Sequence, residues 1–192
     1  YALSVTADNQ SRAYGATNPV LTGSLVGLRN GDNITAVYTT GANTNSGVGP
    51  YPIPRSLLDP DGKLGNYAVT THNGPLNVTT AALSVTADNA SRSYGATNPV
   101  LGGTLTGIRN GDNITATYAS TATPTSPVST YPIIPTLVDP SGKLGNYSVS
   151  RTNGTLTVNP AALTVAANNA SRPYGAPNPP FTGTIVGVQN GD

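Results

Sequence analysis

The stretch Leu-Ser-Val-Thr-Ala-Asp-Asn that begins at Leu3 returns at Leu83, and Leu163 opens a looser third version of it. Aligned without gaps, residues 1–80 and 81–160 agree at more than half of their positions. Repetition at a fixed spacing means an array, and this spacing is too long for one solenoid coil but matches a small complete domain. The 192 residues therefore divide into repeat 1 (1–80), repeat 2 (81–160) and the N-terminal part of a third repeat (161–192), expected as beads on a string. Tyr1-Ala2-Leu3 falls in mid-motif with neither an initiator Met nor a signal peptide, so the expectation is a window on a longer repetitive polypeptide. The 161–192 piece holds only two strands or so, and should need that longer chain or a neighbouring chain in a fibre to cover its edges.

What holds such a bead together is narrowed by composition. Cysteine is absent, so neither disulfides nor zinc-thiolate sites contribute, and stability must come from packing. The 22 Gly and 17 Pro would suit a disordered chain, but the apolar residues recur in a fixed frame, which a disordered tract does not need. Charged residues make up 9% and the formal net charge is +1, which gives no electrostatic reason to expect nucleic acid or an anionic membrane surface as partner. No stretch is apolar enough to span a bilayer as a helix.

Within each repeat the apolar residues follow a period of two, the mark of half-buried strands. Leu3, Val5 and Ala7 alternate with Ser4, Thr6 and Asp8; Ile34, Ala36 and Tyr38 alternate with Thr35, Val37 and Thr39, and Thr117 replaces Val37 in the second copy as an outward position permits. Tyr67, Val69 and Thr71 run into Asn73-Gly74, then Leu76 and Val78, which predicts a hairpin there and at Asn153-Gly154. Further strands are expected around 23–28 and 51–57, the latter at a sheet edge because of Pro52 and Pro54. Arg29-Asn30-Gly31-Asp32 suits a single turn. The fold class is all-β: tandem small β-sandwich domains of about six strands each. Leu76 and Val78 point inward at even positions and Leu83 and Val85 at odd ones, so the strand must break register near Thr79 to Ala82. Pro160 in the second connection predicts a stiff linker that holds neighbours apart.

Nine of the ten tyrosines occupy four repeat positions: Tyr14, Tyr94 and Tyr174; Tyr38 and Tyr118; Tyr51 and Tyr131; Tyr67 and Tyr147. Phe181 stands where Leu21 and Leu101 do. Tyrosine supplies nearly all the large rings a core could use, which favours core packing with each hydroxyl bonded at the edge over a sugar-stacking platform.

The stock of titratable groups is thin, and no catalytic, cofactor-binding or metal residues are expected. His72 is the only histidine, and Thr152 replaces it in the second copy. Asp59-Pro60-Asp61-Gly62-Lys63 faintly resembles a calcium loop, but Ser141 replaces Asp61 in the second copy, so turn chemistry is the better reading. Lys63 and Lys143 invite an isopeptide crosslink, for which the sequence shows no assisting acid. Arg12, Arg92 and Arg172, in Ser-Arg-x-Tyr-Gly-Ala, are expected to staple a loop by stacking or by a bond to Asp8 or Asp88. Sequons such as those at Asn33, Asn113 and Asn146 are what a chain rich in Asn, Ser and Thr produces by composition alone.

Ala-Leu-Ser-Val-Thr-Ala-Asp-Asn-x-Ser-Arg-x-Tyr-Gly-Ala-Thr-Asn-Pro, followed by Leu-x-Gly-x-Leu-x-Gly, Asn-Gly-Asp, Tyr-Pro-Ile and Gly-Asn-Tyr-x-Val, resembles the MBG domain of the Tyr-Gly-x type. The most specific element is Tyr-Gly-x-x-Asn-Pro at 14–19, 94–99 and 174–179. The resemblance implies an extracellular or cell-surface, all-β module of large bacterial adhesin-like proteins, with a β-grasp-like domain as the other form beside a β-sandwich, and carries no active site across. The function expected is that of a structural repeat, a stalk or spacer whose partners are neighbouring repeats or identical chains in a fibre. The alternative is a module that binds host or matrix glycans or protein weakly and gains strength by avidity. The block that differs most between copies, 41–50 against 121–130, lacks the aromatics and arginines of a recognition loop, which favours the spacer. An enzymatic role ranks last.

Overall fold

A computed structural model describes residues 1–192, and the molecule is all-β, its only helical pieces being one-turn 3-10 segments at Leu64–Asn66 and Leu144–Asn146. Repeat 1 contains β1 (Ala2–Ala7), β2 (Gln10–Ala13), β3 (Gly23–Val26), β4 (Thr35–Tyr38), β5 (Gly49–Ile53), β6 (Arg55–Leu58), β7 (Ala68–His72) and β8 (Gly74–Thr79). Repeat 2 contains β9 (Ala81–Ala87), β10 (Ala90–Ser93), β11 (Gly103–Thr106), β12 (Thr115–Ala119), β13 (Ser129–Val138), β14 (Tyr147–Thr152) and β15 (Gly154–Asn159); β16 (Thr164–Ala167) and β17 (Gly183–Val186) follow.

Two mixed three-stranded sheets and a ribbon build repeat 1. In one sheet β1 lies between antiparallel β3 and parallel β7; in the other β8 lies between parallel β2 and antiparallel β5; β4 and β6 pair antiparallel. Along β1, Leu3, Val5 and Ala7 are buried as their alternation predicts, whereas Val37 on β4 points outward. Leu3 joins Ile34 and Tyr67 in a core with Leu25, Leu28, Leu57 and Leu64 packed on it. Ala7 belongs to a second core with Ala42, Ile53 and Leu76, against which Leu21, Tyr38 and Tyr51 pack. In repeat 2, Ala87, Ala122, Ile133 and Leu156 form the counterpart of that second core.

β5 takes the edge position its prolines predict. Pro54 separates β5 from β6, because it lacks the N–H that a ladder needs. Ile134 replaces it in repeat 2, where β13 runs on without interruption through ten residues and joins a four-stranded sheet.

The expected hairpins at Asn73-Gly74 and Asn153-Gly154 are not formed. β7 pairs with β1 while β8 pairs with β2 and β5, so Asn73 is a crossover between sheets. Gly74 is required for a different reason: a Cβ there would lie 2.4 Å from the Ala7 carbonyl oxygen and 2.7 Å from that of Asp8. Turn geometry appears at the other Asn-Gly instead. Asn30 and Gly31 have φ of 56° and 69°, and the Asp32 N–H donates to Arg29 O at 2.9 Å, as in a type I′ turn.

The register break falls where parity requires: β8 ends at Thr79, β9 starts at Ala81, and Leu76, Val78, Ala81 and Leu83 are all buried. Arg12, expected to staple a loop, lies on β2 opposite Val78.

Contacts divide the chain into two compact units: Tyr1–Ser84 with Leu105–Thr115 and Val138–Ser150, and Val85–Thr104 with Ala116–Leu137 and Arg151–Asp192. The first unit thus combines repeat 1 with one end of repeat 2.

Candidate functional site: the junction between repeats

The chemistry-bearing side chains do not converge on a pocket of acids. His72 is exposed near the end of β7, and no three His or Asp side chains come together. The Asp59 carboxylate caps a turn, with Lys63 N–H donating to Oδ1 at 2.9 Å and Leu64 N–H to Oδ2 at 2.7 Å. These backbone donors, that of Leu64 foremost, hold its carboxyl below the usual range, and at Asp139 the backbone N–H groups of Lys143 and Leu144 do the same. Lys63 and Asp61 are exposed.

Arg12 is a staple, but not to Asp8, whose carboxylate accepts from the Thr22 hydroxyl at 2.7 Å. The Arg12 guanidinium is buried and donates to Asn18 Oδ1 at 2.7 Å, to Ala13 O at 3.2 Å and to Asn43 O. Asn18 in turn donates to Ala42 O at 2.7 Å. Arg92 and Asn98 repeat the arrangement on Thr123 O and Ala122 O. The block that differs most between copies is therefore gripped by its backbone carbonyls, which every side chain supplies alike, and its sequence is free to vary.

What the side chains do assemble is the contact between consecutive repeats, seen twice. In the first unit Tyr14, placed just past β2 by its N–H bond to Thr79 O, is 2% exposed. Its hydroxyl donates to Asp112 at 3.0 Å, and its ring meets Tyr147 edge-on at 5.5 Å between centroids. Asp112 is presented by the Asn110-Gly111 turn, equivalent to Asn30-Gly31. Tyr147 donates to the same carboxylate at 2.7 Å and accepts from Arg109 N–H at 2.9 Å. Burial first, and then that bond to Asp112, push its phenol up to about 12. Around the tyrosines, Asn110 Nδ2 donates to Thr44 O at 3.0 Å, and Val48 N–H donates to Asn146 Oδ1 at 2.9 Å.

The second unit repeats these contacts. Tyr94 donates to Asp192 at 2.9 Å, and Asn190 Nδ2 donates to Pro124 O at 3.3 Å. Exposure tracks what each tyrosine meets: Tyr14 is buried, Tyr94 is half-buried against Asp192, and Tyr174 is fully exposed. The stiff linker expected at Pro160 does not hold its neighbours apart, since Tyr94 meets Asp192 across it, and Tyr14 meets Asp112 across the first connection.

Of these residues, sequence reasoning had Tyr14 as a core ring and Asn146 only as a sequon. The joint role of Tyr14 and Asp112 was signalled by the return of Tyr-Gly and Asn-Gly-Asp in all three copies, including the short third.

The model of the MBG domain (YGX type) family matches residues 3–77 and again 83–157. The chain belongs to that family. The Tyr-Gly that gives the type its label is Tyr14-Gly15 and Tyr94-Gly95 here, the junction tyrosines themselves. Comparison with curated proteins returned no match. The chain is thus a tandem array of MBG repeats, and no helix in it is long and apolar enough to cross a membrane.

Proposed function

We propose that this array is a structural spacer of an extracellular or cell-surface bacterial protein, the stalk of an adhesin-like molecule, with no catalytic role of its own. The observation that supports it is the recurrence of one junction, Tyr14 on Asp112 and Tyr94 on Asp192, each spanning 98 residues. A contact made again at every step converts a string of small domains into a stiffer array, because each interface adds to the stability of both neighbours. Two features suit a spacer better than a reader of ligands. The rings with the most contact area are committed to cores and junctions, and the variable block is held by its main chain.

Small-angle scattering on the wild-type chain and on Tyr14→Phe combined with Asp112→Ala tests the reading. The spacer predicts a narrow distribution of dimensions that broadens in the variant. A wild type already as broad as the variant would defeat it. So would glycan-array binding that grows with repeat number, which is the outcome expected of a multivalent binding module.

A further inference from the structure

At the first junction two phenols converge on a single atom. Tyr14 and Tyr147 both donate to Oδ2 of Asp112, at 3.0 Å and 2.7 Å. Their ring centres lie 5.5 Å apart with the planes crossed at 78°. The carbons ortho to the two hydroxyls therefore sit at the converging ends of the rings, and these are the carbons through which phenoxyl radicals couple. Both rings are nearly closed off, at 2% and 6% exposure, so neither can meet a tyrosine of another molecule. Asp112 is half-buried and links the phenols to water. The pair is set apart from the other tyrosines, whose hydroxyls bond separately: Tyr38 to Ser24 O, Tyr51 to Gly47 O and Tyr131 to Pro127 O.

We propose that Tyr14 and Tyr147 form a dityrosine site, at which a one-electron oxidant binds repeat 1 covalently to repeat 2. Each phenol passes one electron to the oxidant and its hydroxyl proton to the Asp112 carboxylate, which releases the first proton to water before it takes the second. The two phenoxyl radicals form a C–C bond between ortho carbons, and the hydrogens on those carbons move to the oxygens and restore two phenols. The protein loses two hydrogens in all, as two electrons to two equivalents of oxidant and two protons to water. An electron can leave a buried ring without the oxidant touching it, so burial here opposes coupling between molecules and not oxidation itself. The rings must close by on the order of an ångström, an ordinary thermal displacement, and a single bond between them allows crossed planes. The new bond closes the chain from residue 14 to residue 147 and removes freedom from the unfolded state, as a disulfide does. The proposal rests on the geometry of the first junction and not on the spacer reading, so either can fail without the other.

The test irradiates the full 192-residue chain with tris(bipyridyl)ruthenium and persulfate, a photogenerated one-electron oxidant, at low protein concentration, and maps the tryptic digest by mass spectrometry. A monomer lighter by two hydrogens is expected, with dityrosine fluorescence, a crosslinked peptide joining Tyr14 to Tyr147 and a raised urea midpoint. Tyr14→Phe and Tyr147→Phe should each abolish that product. Asp112→Asn, whose amide accepts hydrogen bonds but not a proton, should lower its yield several-fold. The wild-type map decides the site whether or not a variant folds. An oxidised monomer without the 14–147 crosslink, coupling confined to exposed tyrosines such as Tyr1 and Tyr174, or an unchanged product in Tyr147→Phe would each overturn the proposal.

Discussion

Tyr14 and Asp112 lie 98 residues apart in the chain and share a hydrogen bond of 3.0 Å, the phenol donating and the carboxylate accepting. The carboxylate also takes the Tyr147 phenol, so one acidic side chain of repeat 2 ties the start of β14 to Tyr14 of repeat 1. Asp32, at the same position in repeat 1, accepts from Tyr67 at 2.7 Å. Replacing Asp112 by alanine should therefore cost more than replacing Asp32, by about 1.5–3 kcal/mol, the worth of one hydrogen bond to a charged group. Urea unfolding of the two variants measures the difference, and equal losses would remove the junction's energetic role. Tyr174→Phe, at a fully exposed hydroxyl, serves as the neutral control.

The Tyr147 phenol gives the array an alkaline limit. Its folded value of about 12 stands above the value of about 10 expected of an unfolded tyrosine, so the folded state holds the proton longer. Its contribution to stability is complete below pH about 10 and is lost as pH rises through the folded value. Thermal melts should show wild type losing stability between pH 10 and 12 more steeply than Tyr147→Phe. Parallel curves for the two would dismiss the link.

Arg12 carries a charge into a nearly closed site with neutral acceptors only, Asn18 Oδ1 and two carbonyls. Lysine cannot reproduce three bonds spread over a planar fork. Arg12→Lys should cost about 2–3 kcal/mol, and Asn18→Ala a similar amount. Since Arg12 donates to Asn18 and the two hold the adjacent carbonyls of Asn43 and Ala42, the double variant should lose less than the sum. Strict additivity in a double-mutant cycle would mean the two grip the loop independently.

Gly31 and Gly74 sit in Asn-Gly pairs but should respond differently to alanine. A Cβ on Gly31 meets nothing within 4 Å, so Gly31→Ala bears only the cost of a left-handed φ of 69°, about 1 kcal/mol. A Cβ on Gly74 meets main-chain oxygen at 2.4 Å, which cannot move aside, and Gly74→Ala should cost roughly 3 kcal/mol or more. Comparison of their denaturation midpoints ranks the two, and the opposite order would refute the crossover geometry at Asn73.

Much of the fold can be read in one dimension. The period-two alternation places Leu3, Val5 and Ala7 inside and Val37 outside, and the parity of Leu76 against Leu83 puts the break near Thr79 to Ala82, because successive side chains of a strand must face opposite ways; the structure puts it at Thr80. The spacing of Leu3, Leu83 and Leu163 sets the array. Alternation says which way a residue faces and nothing about which strand lies beside it. That is why β7 and β8 read as a hairpin, and why Gln10–Ala13, polar and short, is not among the expected strands although β8 holds it as a parallel neighbour.

The amino-acid order thus settles the strands, their faces and the period, since these follow from local geometry and from what each side chain loses in water. Pairing is decided only in three dimensions. Asn30-Gly31 and Asn73-Gly74 are the same dipeptide, yet one turns and the other crosses between sheets, because main-chain carbonyls far away in the chain crowd the second. Tyr14 and Tyr174 likewise share a motif and differ from buried to fully exposed, because the carboxylate and ring that cover Tyr14 belong to the following repeat.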